Sequence, residues 1–115
     1  MKISIITVVR NNQATIEDAI DSVLNQSYHD VEYIVVDGAS TDDTVKKIIN
    51  YGKSITKFIS DKDKGIYDAM NKGINMATGE IIGILNSDDI YFDENVLENV
   101  INTFKKSQEM SNLLL

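Results

Sequence analysis

Acidic and amide side chains concentrate directly after three of the apolar segments of this chain. These polar segments are residues 10–12 (Arg-Asn-Asn), residues 37–43 (Asp-Gly-Ala-Ser-Thr-Asp-Asp) and residues 86–89 (Asn-Ser-Asp-Asp). Crowded carboxylates repel one another, so they are stable together mainly when a cation lies between them. The chain has no cysteine and one histidine, His29, and oxygen ligands alone favour Mg²⁺ or Mn²⁺. A cation with open coordination positions suits a diphosphate, whose leaving charge it neutralises as a Lewis acid.

The acids differ in how strongly they indicate a site. Asp42 and Asp43 fall in the predicted first turn of a helix, where carboxylates offset the helix dipole whatever the function. Asp37 is equally compatible with capping a turn before Gly38 and with binding a ligand.

The segment at residues 86–89 is the sharper signal, because an apolar strand runs directly into Asn-Ser-Asp-Asp. We therefore interpret Asp88 and Asp89 as functional. Residues 61–65 are typical of a loop that starts a helix, although Lys64 could reach a phosphate.

Composition excludes several classes of protein. The 115 residues suffice for one domain, and the net charge of −7 argues against a nucleic-acid partner. Without cysteine there is no disulfide framework and no thiolate nucleophile. No apolar run approaches the roughly 20 residues that span a bilayer, and residues 1–5 do not resemble a signal peptide. We expect a cytoplasmic protein with no membrane span.

Apolar runs predict the strands that position these residues. Residues 3–9, 31–36 and 81–85 are almost continuously apolar, as in strands buried on both faces of a parallel sheet. Residues 55–60 are a weaker strand candidate.

Segments with the apolar spacing of helices lie between the predicted strands. Apolar stripes predict four helices, formed by Ile16, Ala19, Ile20, Val23 and Leu24; by Val45, Ile48 and Ile49; by Ile66, Met70, Ile74 and Ala77; and by Leu97, Val100, Ile101 and Phe104. We expect Asn12 and Asp93 to cap the first and fourth helices, a capping box at residues 40–43, and Gly79 to end the third.

The strict alternation of strand and helix predicts an α/β fold with a Rossmann-like, mostly parallel sheet and flanking helices. If the first, second and fourth strands are neighbours, one sheet edge collects the acids, and a ligand binds where strand order reverses. The sequence ends in three leucines, which suggests a truncated domain continuing in a longer protein.

Six segments in order along the chain resemble family 2 glycosyltransferases, which have the GT-A fold. They are residues 5–11, 22–28, 32–42, 63–73, 77–80 and 86–89, and the likeness runs from Met1 to about Phe104. The resemblance implies that residues 1–115 are the amino-terminal, donor-binding part of a glycosyltransferase 2 domain. It also implies a nucleotide-sugar donor, a saccharide acceptor, inverting transfer and surface polysaccharide synthesis.

The resemblance also implies a set of site residues. The nucleoside and donor pocket fall on Thr7, Val8, Val9, Asn11, Asp37, Gly38, Lys64 and Asp68. The DXD-type motif falls on Asn86, Ser87, Asp88 and Asp89, with Asp88 and Asp89 as the ligands of Mn²⁺ or Mg²⁺.

Two positions depart from the family pattern. Asn86 stands where the DXD motif has its first acid, and Gly38 stands where many relatives have a second acid that contacts the base. UDP is the expected nucleotide. The general base is expected beyond Leu115, so we expect no catalytic residue within the chain, and donor binding without transfer.

Two other functions remain open at this point. A Mg²⁺-binding doubly wound module of the phospho-receiver type also clusters acids at strand ends, but the chain lacks a lysine after its fourth strand. A non-catalytic remnant that self-associates into a homo-oligomer through an exposed sheet edge is the other alternative.

Overall fold

Four parallel strands form one sheet in the computed structural model of this chain, which describes residues 1–114. The strands are β1 (Ile3–Val9), β2 (Val31–Asp37), β3 (Lys57–Ser60) and β4 (Ile81–Ile84). The helices are α1 (Ile16–Leu24), α2 (Thr44–Ile49), α3 (Ile66–Met76) and α4 (Val96–Leu114), and a short 3₁₀ turn spans Gly52–Ser54. The predicted α/β fold with a parallel sheet and flanking helices is confirmed.

The strand order β3-β2-β1-β4 places β1 between β2 and β4. From β1 the chain moves outward to β2 and β3, then crosses back to add β4 on the other side of β1. Strand order therefore reverses between β1 and β4. The expectation that the first, second and fourth strands are neighbours is confirmed.

The predicted strand 55–60 is two residues too long at its start. Ile55 packs into the core, and the backbone N–H of Thr56 donates to the carbonyl of Tyr33 at 2.9 Å. The hydroxyl of Thr56 accepts from the N–H of Tyr33 at 2.9 Å, so a side chain replaces a ladder contact and β3 begins at Lys57.

Alternating side chains of the sheet build two apolar clusters. On one face, Ile5, Val9 and Val35 pack with the buried sides of α1 and α4. On the other face, Ile6 and Ile34 pack with α3. The central strands are thus buried on both faces, which explains their continuous apolar sequence.

Small residues bring α3 close to β1. The buried residues of α3 are Ala69 and Gly73, and a Cβ at Gly73 would lie 2.5 Å from Cγ2 of Ile6. The expected core stripe of this helix is therefore wrong in part, because Ile66 and Ile74 are 50% and 40% exposed. The helix covers β1 and β2, and Ile82 and Ile84 of the edge strand β4 also remain exposed. Met70 and Ala77 are half-buried.

The predicted caps are replaced by other contacts. Thr15, rather than Asn12, is the N-cap of α1, and Asp43 is the N-cap of α2 without a side-chain cap bond. No capping box forms, because the N–H of Asp43 donates to Oε1 of Gln13 at 2.9 Å and the hydroxyl of Ser40 donates to Asp37. Asp93 accepts from the N–H of Asn95 at 2.8 Å, just before α4.

The helix α4 joins the core through its first turns only. Leu97 and Ile101 are buried, whereas Phe104 is 47% and Leu113 85% exposed. Leu115, the last of the three terminal leucines, lies outside the described residues. Within residues 1–114, no helix is both long enough and apolar enough to cross a membrane.

A buried carboxylate ties the amino-terminal end of the sheet together. Glu32 is 4% exposed, and its Oε1 accepts from the hydroxyl of Ser4 and the N–H of Thr78, both at 2.8 Å. Lys57 and Lys2 lie 3.2 and 3.5 Å from its Oε2. Burial opposes ionisation, but the hydrogen bonds from Thr78 and Ser4 outweigh it and lower the pKa of Glu32 to about 2.

We expect Gly73→Ala to lower the free energy of unfolding by about 1–3 kcal/mol, because Ile6 must move to admit the methyl group. At a solvent-exposed helix position, replacing glycine with alanine would instead stabilise the helix. Urea denaturation of Gly73→Ala beside Asn71→Ala, an exposed position of α3, measures the difference. A Gly73→Ala protein as stable as the parent would contradict the close packing.

We expect the contribution of Glu32 to stability to be present above its ordinary pKa of 4.5 and to fall as the pH drops towards about 2. The sign follows because the pKa is lower in the folded protein, so protonation favours unfolding. Glu32→Gln, which leaves buried donors poorly matched, should cost about 1–3 kcal/mol at pH 7. Denaturation at pH 7 and pH 3 should show a smaller pH effect in Glu32→Gln than in the parent. The exposed Glu80→Gln, by contrast, should retain the parent's pH dependence.

Candidate donor-binding site

A cavity of about 370 Å³ lies at the carboxyl ends of the strands, where strand order reverses. Its walls come from the end of β1, the segment after β4 and the start of α3. The lining residues are Val8, Val9, Arg10, Asn12, Asp63, Gly65, Ile66, Ala69, Asn86, Ser87 and Asp88. The position matches the rule that ligands of open α/β sheets bind at this reversal.

Ser87 is fixed by residues that precede α1. Its carbonyl accepts from the hydroxyl of Thr15 at 2.8 Å, and its hydroxyl accepts from Nδ2 of Asn12 at 3.1 Å. Asn12 therefore links the loops that leave β1 and β4 instead of capping α1. These bonds set the positions of Asn86 and Asp88 on either side of Ser87.

Asn86 lines the cavity and has an unpartnered side-chain oxygen. Its Oδ1 is buried and accepts no hydrogen bond from any residue that the structure describes. Asp88 is exposed and lines the same cavity. An amide oxygen and a carboxylate are ligands that Mg²⁺ and Mn²⁺ accept, and such ions are commonly held by one or two carboxylates together with substrate phosphates. The residues present thus fit a divalent cation, although residues 1–114 contain no cluster of three or more acidic, histidine or cysteine ligands.

The other DXD-type acid lies outside this wall. Asp89 is exposed and does not line the cavity, and its backbone N–H donates to the carbonyl of Asn86 at 3.0 Å. Its backbone thereby closes the turn that presents Asp88.

Asp37 is fully buried and its oxygens are already occupied. Oδ2 accepts from the N–H of Ser40 at 2.9 Å and from the hydroxyl of Ser60 at 2.7 Å, and Oδ1 accepts from the hydroxyl of Ser40 at 2.5 Å. The structure thus places Asp37 in the turn-capping role, with its side chain away from the cavity lining.

Asn11 connects the loops after β1 and β2. It has a positive φ of 47°, and its Oδ1 accepts from the N–H groups of Thr41 at 2.7 Å and Asp42 at 3.3 Å. Its own N–H donates to the hydroxyl of Ser40 at 2.8 Å. Asparagine tolerates this left-handed conformation better than most residues. The side chain of Asn11 therefore positions a loop and does not line the cavity.

Three further predicted site residues also lie away from the cavity lining. Thr7 is fully buried, and its hydroxyl shares a hydrogen bond of 2.7 Å with the hydroxyl of Tyr33. Burial raises the pKa of Tyr33. Lys64 is exposed, and its backbone N–H donates to Oδ2 of Asp68 at 2.9 Å. Asp68 also lies 3.8 Å from Lys72. The cavity lining therefore includes Val8, Val9, Asn86, Ser87 and Asp88 of the predicted set, but not Thr7, Asn11, Asp37, Gly38, Lys64, Asp68 or Asp89.

Arg10 and Asp63 are the charged lining residues that were absent from the predicted set. Arg10 follows β1, is exposed and is the one cationic side chain among the described lining residues. Asp63 precedes α3 and accepts from the N–H of Gly65 at 3.0 Å. The sequence placed both in polar loops, but nothing in its spacing showed that they face the same cavity as Asp88.

We expect Asn11→Ala to destabilise the chain by about 1–3 kcal/mol, because alanine loses the loop hydrogen bonds and disfavours the positive φ. Asn11→Gly keeps the backbone conformation and should recover part of this loss. Thermal or urea denaturation of both variants checks the order. Equal stability of Asn11→Ala and the parent would contradict the positioning role.

A family comparison identifies the class of protein. The model described as Glycosyl transferase family 2 matches residues 4–111. This chain belongs to glycosyl transferase family 2. The resemblance read from the sequence is thereby confirmed.

Similar proteins agree with this assignment. A PGL/p-HBAD biosynthesis glycosyltransferase of Mycobacterium bovis is 34% identical over 100 residues, which cover 84% of this chain and 39% of the relative. The chain thus spans about two fifths of the length of that curated relative.

Two solved structures share the fold and bear ligands. S. aureus TarS 1-349 in complex with UDP has a TM-score of 0.83 at 25% identity, covering 92% of this chain and 32% of that one. The mannosyltransferase PcManGT from Pyrobaculum calidifontis, in complex with GDP-Man and Mn²⁺, has a TM-score of 0.78 at 27% identity, covering 87% and 31%.

Proposed function

We propose that this family 2 glycosyltransferase chain binds a nucleotide-sugar donor, with a UDP-sugar as the expected substrate, and a divalent cation in the 370 Å³ cavity. The observation that carries the proposal is that Asn86, whose Oδ1 has no partner, and Asp88 line the same cavity at the reversal of strand order. The UDP complex of TarS and the GDP-Man and Mn²⁺ complex of PcManGT support the ligand class.

The cavity offers a different environment at each end. Asn86 and Asp88 follow β4 at one edge of the sheet, whereas Asp63 follows β3, at the opposite edge. We assign the diphosphate and the cation, Mn²⁺ or Mg²⁺, to the β4 end and the nucleoside to the β3 end. Arg10, which follows β1 and also lines the cavity, has a guanidinium that can attract the diphosphate.

In the complete reaction the acceptor hydroxyl attacks the anomeric carbon, with inversion, as the bond from that carbon to the diphosphate oxygen breaks. The electron pair of the broken bond leaves with the nucleoside diphosphate, and the hydroxyl proton passes to a carboxylate base. Asn86 and Asp88 would hold the cation, which supplies charge neutralisation at the leaving diphosphate. The other cavity residues bind and orient the donor.

Our proposal for the acceptor rests on the resemblance to family 2 glycosyltransferases. We propose a saccharide acceptor and a place in surface polysaccharide synthesis, and we expect residues 1–115 to bind donor without transferring sugar. The carboxylates that line the cavity are Asp63 and Asp88, and both are assigned to donor and metal in this scheme. The cytoplasmic location and the homo-oligomer stay predictions, with the exposed Ile82 and Ile84 of β4 available as an apolar edge.

We expect UDP to bind in a manner that requires Mn²⁺ or Mg²⁺, and Asp88→Asn to weaken this binding at least tenfold by removing the charge on the metal ligand. Calorimetric titration of UDP and GDP, with and without Mn²⁺, measures the effect. Asp30→Asn, an exposed acid at the amino-terminal end of the sheet, is the matched control.

Asp89→Asn tests the second predicted metal ligand. It should weaken UDP binding less than Asp88→Asn does, because Asp89 lies outside the cavity lining. Nucleotide binding that is independent of metal, or unaffected by Asp88→Asn, would contradict the proposed site.

A further inference from the structure

The cavity wall beside Gly38 has a carboxylate from the loop after β3. Asp37 ends β2, but its oxygens are occupied by Ser40 and Ser60 and it is fully buried. Asp63 is half-buried and lines the cavity. At the β3 end of the cavity, the carboxylate able to meet a ligand is therefore that of Asp63.

Gly38 makes room for this carboxylate. A Cβ at position 38 would lie 2.6 Å from Oδ2 of Asp63, too close for a real contact, and 3.3 Å from its Cγ, so the carboxylate would have to move. Any side chain at position 38 would occupy the space that Asp63 now fills. The absence of a side chain at Gly38 and the placement of Asp63 are thus one feature of the structure.

One oxygen of Asp63 is anchored. Oδ1 accepts from the N–H of Gly65 at 3.0 Å, which fixes the orientation of the carboxylate at the start of α3. No donor among the described residues bonds to Oδ2. An ionised carboxylate only accepts hydrogen bonds, so its free oxygen selects a ligand that presents an N–H or O–H.

We propose that Asp63 reads the nucleobase of the donor by accepting a hydrogen bond from a ring N–H, an inference that rests on the proposed function. Uracil presents such a donor at N3 and guanine at N1, whereas cytosine N3 and adenine N1 are bare acceptors. Cytosine and adenine carry their N–H donors on exocyclic amino groups beside that ring position, so a carboxylate that faces the ring position itself meets a lone pair and lacks its hydrogen bond. The site therefore favours uridine or guanosine diphosphates over cytidine or adenosine diphosphates.

Replacement of the ring N–H hydrogen by a methyl group tests the proposed hydrogen bond. We expect the parent chain, with Mn²⁺ present, to bind UDP at least tenfold more tightly than CDP and than N3-methyl-UDP, which lacks the ring N–H. Titration calorimetry with these three ligands gives the ratios.

Two variants should reduce the ratio by independent routes. Asp63→Ala removes the acceptor, and Gly38→Ala keeps Asp63 but displaces its carboxylate through the 2.6 Å contact. Each should bring the UDP to N3-methyl-UDP ratio to within about threefold while binding of either ligand still requires Mn²⁺. Asp61→Asn is the matched control, because Asp61 is an exposed acid of the same loop that does not line the cavity.

The outcomes separate this inference from the proposed function. Metal-dependent UDP binding that Asp88→Asn weakens, with N3-methyl-UDP and CDP bound equally well, would overturn the role of Asp63 and leave the donor site standing. A ratio unchanged in both Asp63→Ala and Gly38→Ala would overturn it as well. If no nucleotide binds under any metal condition, both the donor site and the base readout are wrong for this chain.

Discussion

The pairing of β1 with a parallel neighbour on each side is the constraint on which the rest of this structure depends. Seven register pairs join β1 to β2, and four join it to β4. Parallel strands require crossover helices, and the crossover that returns from β3 to β4 passes over β2 and β1 as α3. This path leaves a crevice between the start of α3 and the loops after β1 and β4, and it also sets the distance between α3 and β1. The glycine at position 73 satisfies that second demand by admitting Ile6.

Polar contacts divide the molecule into two ends with different roles. At the amino-terminal end of the sheet, hydroxyl, amide and ammonium donors surround the carboxylate of Glu32, so its charge is balanced by partners within the fold. At the carboxyl end, Asn86 retains an oxygen without a partner, and Asp88 faces the cavity. Buried polar groups normally find partners inside the protein, so the unsatisfied oxygen of Asn86 supports the proposal that a ligand binds at this end.

The loops at the ligand end are held in place by side chains that do not themselves line the cavity. Asn11 joins the loops after β1 and β2, and Asp37 closes the turn that follows β2. Thr15 supports Ser87 from the start of α1. The residues that the resemblance predicts for the donor site thus include some that line the cavity and others that hold its loops in place. A segment can be shared by relatives because it binds the donor or because it positions a neighbour that does.

The sequence by itself determined the class of fold, the order of its elements and the family. Apolar β-branched runs alternating with helical stripes suffice for this, because burial on both faces and helical periodicity are local patterns. It also identified the segment at residues 86–89, where a strand runs directly into Asn-Ser-Asp-Asp. Only the tertiary structure decided which side chains face the cavity. Asp37 ends β2 and Asp63 lies in the loop after β3, yet the carboxylate of Asp37 is bonded to Ser40 and Ser60 while that of Asp63 lies in the space beside Gly38. That difference arises from contacts between residues distant in sequence, and no local pattern encodes it.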